Sequence, residues 1–143
     1  MSWSNWSSQG FGYKLFNGHN DRQVLEFIRN HADYKNYKEI SDEFAEDLVN
    51  GLTDYYELYD EYASEIVAGI INREEGYTVF AGYPPCTDTD QEEMLGVWPD
   101  FPWRYDGKSK NLELSQAVTI LKKYANMLDI TDAPNYFEAF YCG

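Results

Sequence analysis

The sequence predicts an α+β fold: a single domain, residues 1–143, with three to four helices packed on a small, mostly antiparallel sheet. Three observations predict it. The patterns run in the order weak strand, helices, strands, helix, strand, which puts helices on one face of a sheet instead of alternating them as βαβ units. Two long segments carry apolar residues at helical spacing, and two short ones are rich in strand formers. The 143 residues, 43% of them hydrophobic, suit one domain with one core.

Residues 1–9 read as an irregular arm carrying Trp3 and Trp6. Phe11–Phe16 alternates loosely, as a short strand does, and Asn17-Gly18 is a turn signal. Asn20 or Asp21 caps a first helix whose Val24, Phe27, Ile28 and His31 share a face. Ser41 caps a second helix, with Asp42 and Glu43 in the first turn where the helix dipole favours them. Phe44, Leu48 and Leu52 form its apolar stripe, and Asn50-Gly51 ends or bends it. Thr53 caps a third helix predicted to run to about Arg73, with Tyr55, Tyr59, Tyr62, Ile66 and Ile70 on one stripe.

Glu75-Gly76 stops that helix. Tyr77–Tyr83 reads as a strand closed by Pro84-Pro85. Residues 87–93 form an acidic loop, and Met94–Trp98 reads as a short strand. Leu112–Leu128 is amphipathic, with Leu114, Ala117, Val118, Leu121, Tyr124, Ala125 and Leu128 at helical spacing. Tyr136–Cys142 alternates and reads as the last strand.

The charge balance is lopsided: 25 acids against 11 bases, a net charge of −14. This disfavours direct contact with nucleic acid and with an anionic membrane surface, and favours a basic protein as partner. The N-terminus lacks a charged segment followed by an apolar one, and no apolar run is long enough to span a bilayer, so a cytoplasmic location is expected. Two cysteines, Cys86 and Cys142, make no disulfide framework, and reduced thiols are expected there.

Motifs for chemistry are absent. His19, His31, Cys86 and Cys142 have no zinc-site spacing. Asp88, Asp90 and Glu92 alternate as in a calcium loop, but Glu93 stands where its glycine belongs and Pro99 where its last glutamate belongs. Gly107-Lys108-Ser109 resembles the end of a phosphate loop, yet Pro102 occupies the position of the opening glycine. No catalytic residue, metal or cofactor is assigned, and an enzyme is not expected. A sugar or small-molecule enzyme needs a pocket with convergent polar groups, which the sequence does not locate.

The candidate site is the stretch Glu39–Glu65, with ten carboxylates and no Lys or Arg. Asp47, Asp54 and Glu61 recur every seven residues, which on helices draws a line of charge. Asp47, Asp54, Glu57, Asp60, Glu61 and Glu65 are the expected phosphate surrogates, with Tyr55, Tyr56 and Tyr59 as aromatic neighbours. On this reading the protein is an inhibitor that plugs the basic nucleic-acid channel of a nuclease-type machine. Small acidic anti-CRISPR and anti-restriction proteins of phage, and immunity proteins for nuclease toxins, use this strategy; the analogy is one of charge and size, with no shared motif. The alternative is an interaction module or accessory subunit that binds through the aromatic, proline-stiffened loop 98–105, with Trp98 and Trp103 as anchors. The plain alternative for the acid is a solvated face that keeps the chain soluble. Oligomeric state is left open.

Overall fold

The computed structural model describes residues 7–31, 37–77, 79–84, 92–97 and 112–140. The elements are β1 (Ser7–Lys14), α1 (Asp21–Arg29), α2 (Asp42–Val49), α3 (Tyr56–Tyr59), α4 (Ala63–Glu75), β2 (Phe80–Tyr83), β3 (Met94–Val97), α5 (Leu114–Met127) and β4 (Asn135–Phe140). This is the α+β arrangement expected, with five helices where three to four are predicted. The four strands form one sheet in the order β2-β3-β1-β4, every pair antiparallel.

Register explains which residues become core. Phe11 pairs with Val97, Tyr13 with Leu95, and Phe80 with Val97. Side chains alternate across a strand. Tyr13, Phe80, Leu95 and Val97 therefore share the face that packs with α4 and α5 in the main core, while Tyr83, Met94 and Phe137 form a second small cluster on the other face. The main core takes Ile66, Val67, Ile70 and Ile71 from α4, and Ala117, Leu121, Tyr124 and Ala125 from α5. Helix α4 lies so close to β2 that a Cβ at Gly82 would overlap the Ser64 carbonyl; only glycine permits that approach.

Several boundaries differ from the sequence pattern, each for a physical reason. β1 begins at Ser7, inside the expected arm, because β4 supplies partners out to that point, Ser7 opposite Phe140. β2 begins at Phe80 because the Asn72 side chain takes both backbone groups of that residue: Oδ1 accepts from Phe80 N at 2.9 Å, and Nδ2 donates to Phe80 O at 2.8 Å. Asn20 precedes α1 but makes no side-chain cap. It is fully buried, donating from Nδ2 to Leu15 O (2.7 Å) and Leu128 O (2.9 Å), and it ties the β1–α1 turn to the end of α5.

The helix predicted over 53–73 is the main correction. It is two helices, α3 and α4, separated by Asp60 in the left-handed conformation (φ 55°). The start also differs. Asp54, not Thr53, satisfies the first turn: its Oδ1 accepts from Glu57 N at 3.1 Å. No helix among the described residues is long and apolar enough to cross a membrane.

Candidate functional site

The acidic stretch folds as a chain of short, locally capped pieces. Ser41 Oγ accepts from Phe44 N at 3.1 Å, as its position predicts, and starts α2. Ala45 is buried, with Phe44 and Leu48 half-buried beside it, so one side of α2 rests on the core. The chain leaves α2 through Gly51 at φ 73°, a left-handed turn that glycine adopts at little cost. α3 is a single turn with no buried residue. After Asp60 the chain re-enters a helix where Glu65 Oε1 accepts from Tyr62 N at 3.0 Å.

Seven of the ten carboxylates are exposed: Glu39, Asp42, Glu43, Glu46, Asp54, Glu57 and Asp60; Asp47, Glu61 and Glu65 are half-buried. Among the described residues, only Asp42 of these ten pairs with a base, Arg29 Nη2 at 2.7 Å. The seven-residue spacing of Asp47, Asp54 and Glu61 does not become a line on one helix. Asp47 belongs to α2, Asp54 to the connection before α3, and Glu61 to the joint before α4. Asp54 and Glu65 also serve as local caps, so each has a structural duty besides its charge.

The tyrosines divide. Tyr55 is buried, 7% exposed, and is part of the core instead of the surface. Tyr59 is half-buried, its ring edge-on to Tyr37 at 5.2 Å, and its hydroxyl donates to the Lys38 carbonyl. Tyr56 is exposed and pairs with Tyr62, which is also exposed though less so, ring centroids 5.2 Å apart. Trp98 and Trp103, like Cys86 and Cys142, lie outside the described residues.

Three features escaped the sequence reading. Leu52, expected on the apolar stripe of α2, is 75% exposed, because Gly51 turns the chain before the stripe closes. Tyr62 joins the surface pair although helical spacing places it on one stripe with Ile66 and Ile70, both of which are buried. The third is a cavity of about 240 Å³ between the start of α1, the end of α2 and the entry to β3. Asp21, Asp54, Tyr55 and Glu93 contribute its polar lining. Burial raises the Glu93 carboxyl above its usual range, the Ser64 N–H donating to Oε1 at 3.0 Å opposes this, and Glu65 and Asp54 push it further up. Burial likewise raises the Tyr55 phenol, with Asp21 and Glu93 adding to the effect. No sequence signal marks this cavity, since its walls come from segments far apart in the chain.

No protein-family model, curated protein or solved structure matches this chain. What the site can do therefore rests on its own geometry. Among the described residues no group of three or more His, Cys, Asp or Glu side chains is placed to hold a metal ion. The arrangement offers a broad, exposed negative surface with an aromatic pair on it, which suits recognition of a positively charged macromolecule.

Proposed function

We propose that this chain is a non-enzymatic inhibitor that binds a basic protein, a nucleic-acid-binding enzyme of the nuclease type, by occupying the channel that otherwise takes DNA or RNA. One observation carries this reading: ten carboxylates within residues 39–65, seven of them exposed and nine without a basic partner among the described residues. Charge of one sign crowded on short helices destabilises them by a few tenths of a kcal/mol per pair. A surface that needed only solubility could intersperse bases at no cost. A field of this kind accelerates encounter with a basic partner and repels competing polyanions. The Tyr56–Tyr62 pair and Leu52 supply apolar contact within the same acidic stretch, where Tyr adds area at small entropic cost. The support comes from density and exposure of charge, not from helical spacing.

The test is capture of a partner from host lysate at low salt with elution on a salt gradient. A basic nucleic-acid enzyme that elutes at moderate salt and is competed by DNA or RNA is the expected result. The triple variant Glu57→Gln/Asp60→Asn/Glu61→Gln keeps side-chain size and removes three charges. It is expected to slow association by about tenfold or more at low salt and to flatten the salt dependence. Unchanged association by a folded triple variant would remove the charge from the mechanism and the inhibitor reading with it.

A further inference from the structure

His31, just past the end of α1, stands between two acceptors. Its Nδ1 lies 2.6 Å from the Phe27 carbonyl oxygen on α1. Its Nε2 lies 3.1 Å from Glu74 Oε2, on the last turn of α4. A carbonyl and an ionised carboxylate accept hydrogen bonds and donate none. A neutral imidazole has one N–H to give, and an imidazolium has two. Only the protonated ring donates to both partners at once.

The end of α1 explains the first contact. The His31 backbone N–H bonds to Ile28 O, which leaves the Phe27 carbonyl to the side chain. Helix ends leave carbonyls without an intrahelical donor, and a histidine side chain is one of the groups that takes them. The helix dipole favours a cation at that end. The ring rests against that of Phe27, centroids 4.7 Å apart, which fixes its plane. The second contact is partly shielded, with 21% of the His31 side chain and 38% of the Glu74 side chain exposed, so salt screens it less than a fully exposed pair.

The other charges near this joint are engaged elsewhere. On α1, Arg29 is turned to Asp42 of α2. On α4, Glu75 takes the Tyr124 hydroxyl and Lys123 Nζ, both from α5. Tyr124 stands edge-on to the Phe27 ring at 6.1 Å and is affected by the Glu74 charge, with its proton donated to Glu75. Among the described residues, His31 is therefore the one base that pairs with Glu74.

We propose that His31 is a proton-operated latch between α1 and α4: protonated, it donates from Nδ1 to Phe27 O and from Nε2 to Glu74; neutral, it holds only one of them. Whichever nitrogen gives up its proton, the bridge is cut, at the α1 end or at the α4 end. Histidine is the side-chain type that changes charge between about pH 5 and 8. Mild acidification closes the latch, and one of its two bonds is lost as pH rises. The latch sits where the chain leaves α1 for the acidic stretch 39–65, and it sets how firmly that exit is held. The proposal goes beyond the inhibitor reading and does not depend on it, because no partner enters it and neither His31 nor Glu74 belongs to the acidic stretch.

The experiment is a pH titration of the ¹³C,¹⁵N-labelled chain across about pH 5 to 8, following the His31 ring nitrogens, the Phe27 carbonyl carbon and the Glu74 carboxyl carbon. Both ring nitrogens are expected to carry protons at the acid end and one at the other. The Phe27 and Glu74 carbons are expected to move through the same midpoint as the ring. Amide-exchange protection at Asn30 and His31, corrected for the intrinsic effect of pH, is expected to fall about fivefold across the transition. His31→Gln can donate to one acceptor and does not titrate. It is expected to abolish the transition at both carbons and to make the protection independent of pH. A thermal melt checks that this variant folds, and the wild-type titration stands without it. Titration of His19, exposed in the turn before α1, serves as the control and is expected to leave both carbons unmoved. A ring that carries one proton across the whole range, a ring transition that reaches only one or neither of the two carbons, or a pH-dependent protection that survives in folded His31→Gln would overturn the proposal.

Discussion

Helices α2 and α4 are near neighbours in sequence and opposites in burial. α4 buries Ala63, Ser64, Ile66, Val67, Ala68, Ile70 and Ile71, whereas α2 buries only Ala45 and the single turn α3 buries nothing. One region is defined by what it packs against, the other by what it presents. The difference shows where each element gets its stability. α4 is held by apolar area against the sheet. The pieces from 41 to 62 are held by end caps, at Ser41, Asp54 and Glu65, and by a few side chains reaching inward, Tyr55 above all. Elements held this way open at lower free energy than core elements, a common property of binding surfaces.

The widest expected gap between the two regions comes from one pair of truncations. Ile70 is fully buried and Leu52 is 75% exposed. Ile70→Ala is expected to cost about 2–5 kcal/mol, from lost transfer energy plus the cavity left behind. Leu52→Ala is expected to stay within about 0.5 kcal/mol. Urea denaturation of both variants measures this directly. Equal losses would mean that Leu52 packs in solution and that the acidic region is core after all.

The scaffold was far more legible in the sequence than the presenting region, and burial explains why. Amphipathic spacing is visible where one face is dry: it located α1, α5 and α4, the last being the C-terminal half of the helix predicted over 53–73, and alternation located the last strand. Ser41 was read correctly because capping is a local rule. The pattern failed at Asp60. Tyr55, Tyr59 and Tyr62 fit a helical stripe with Ile66 and Ile70, but tyrosine is apolar enough to mimic a core face and polar enough to leave it. Asn20 failed differently. Local rules make it a cap, while its amide reaches Leu128 O, a partner no local rule can see. The candidate site followed the same division. The charge was legible residue by residue. The burial of Tyr55 and its meeting with Asp21 and Glu93 were not, because they depend on how distant segments pack.

Carboxylates sharpen the comparison at a smaller scale. Glu75, at the end of α4, is a scaffold carboxylate: the Tyr124 hydroxyl donates to its Oε2 at 2.6 Å, and Lys123 Nζ lies at 2.9 Å. The Tyr124 hydrogen bond, aided by Lys123, holds the Glu75 carboxyl below its usual range. A group with a depressed folded pKa stabilises the fold above its unfolded pKa and loses that contribution as pH falls through the folded one. Tyr124→Phe is therefore expected to cost about 1 kcal/mol at neutral pH, and the gap from the wild type should close as pH drops below the usual carboxylate range. Among the described residues the exposed carboxylates of 39–65 have few such partners, Asp42 with Arg29 being the ion pair. A pH-independent cost at Tyr124 would show that the phenol matters only for packing.

The smallest expected effect is the most diagnostic, because its sign differs between the two pictures of residues 53–73. If the segment were one helix, Asp60 would sit in its interior. Ala would then be the best residue there, and Gly would be worse than Ala by about 1 kcal/mol. With Asp60 left-handed at φ 55°, the order reverses. A side chain with a Cβ pays roughly 1–2 kcal/mol for that conformation, Asp somewhat less because it can hydrogen-bond locally, and Gly nothing. Part of the gain with Gly is returned through the greater freedom of the unfolded chain. Asp60→Gly is thus expected to be neutral to slightly stabilising, by up to about 0.5 kcal/mol, and Asp60→Ala destabilising by about 1 kcal/mol. Both variants remove the same charge, so the difference between them is conformational and independent of the acidic field. Thermal melts of the two, compared with each other before either is compared with the wild type, read that sign. Ala above Gly would join α3 to α4 and restore a continuous helix carrying the tyrosine stripe. Gly above Ala keeps the joint at Asp60, where the buried half of the segment ends and the presenting half begins.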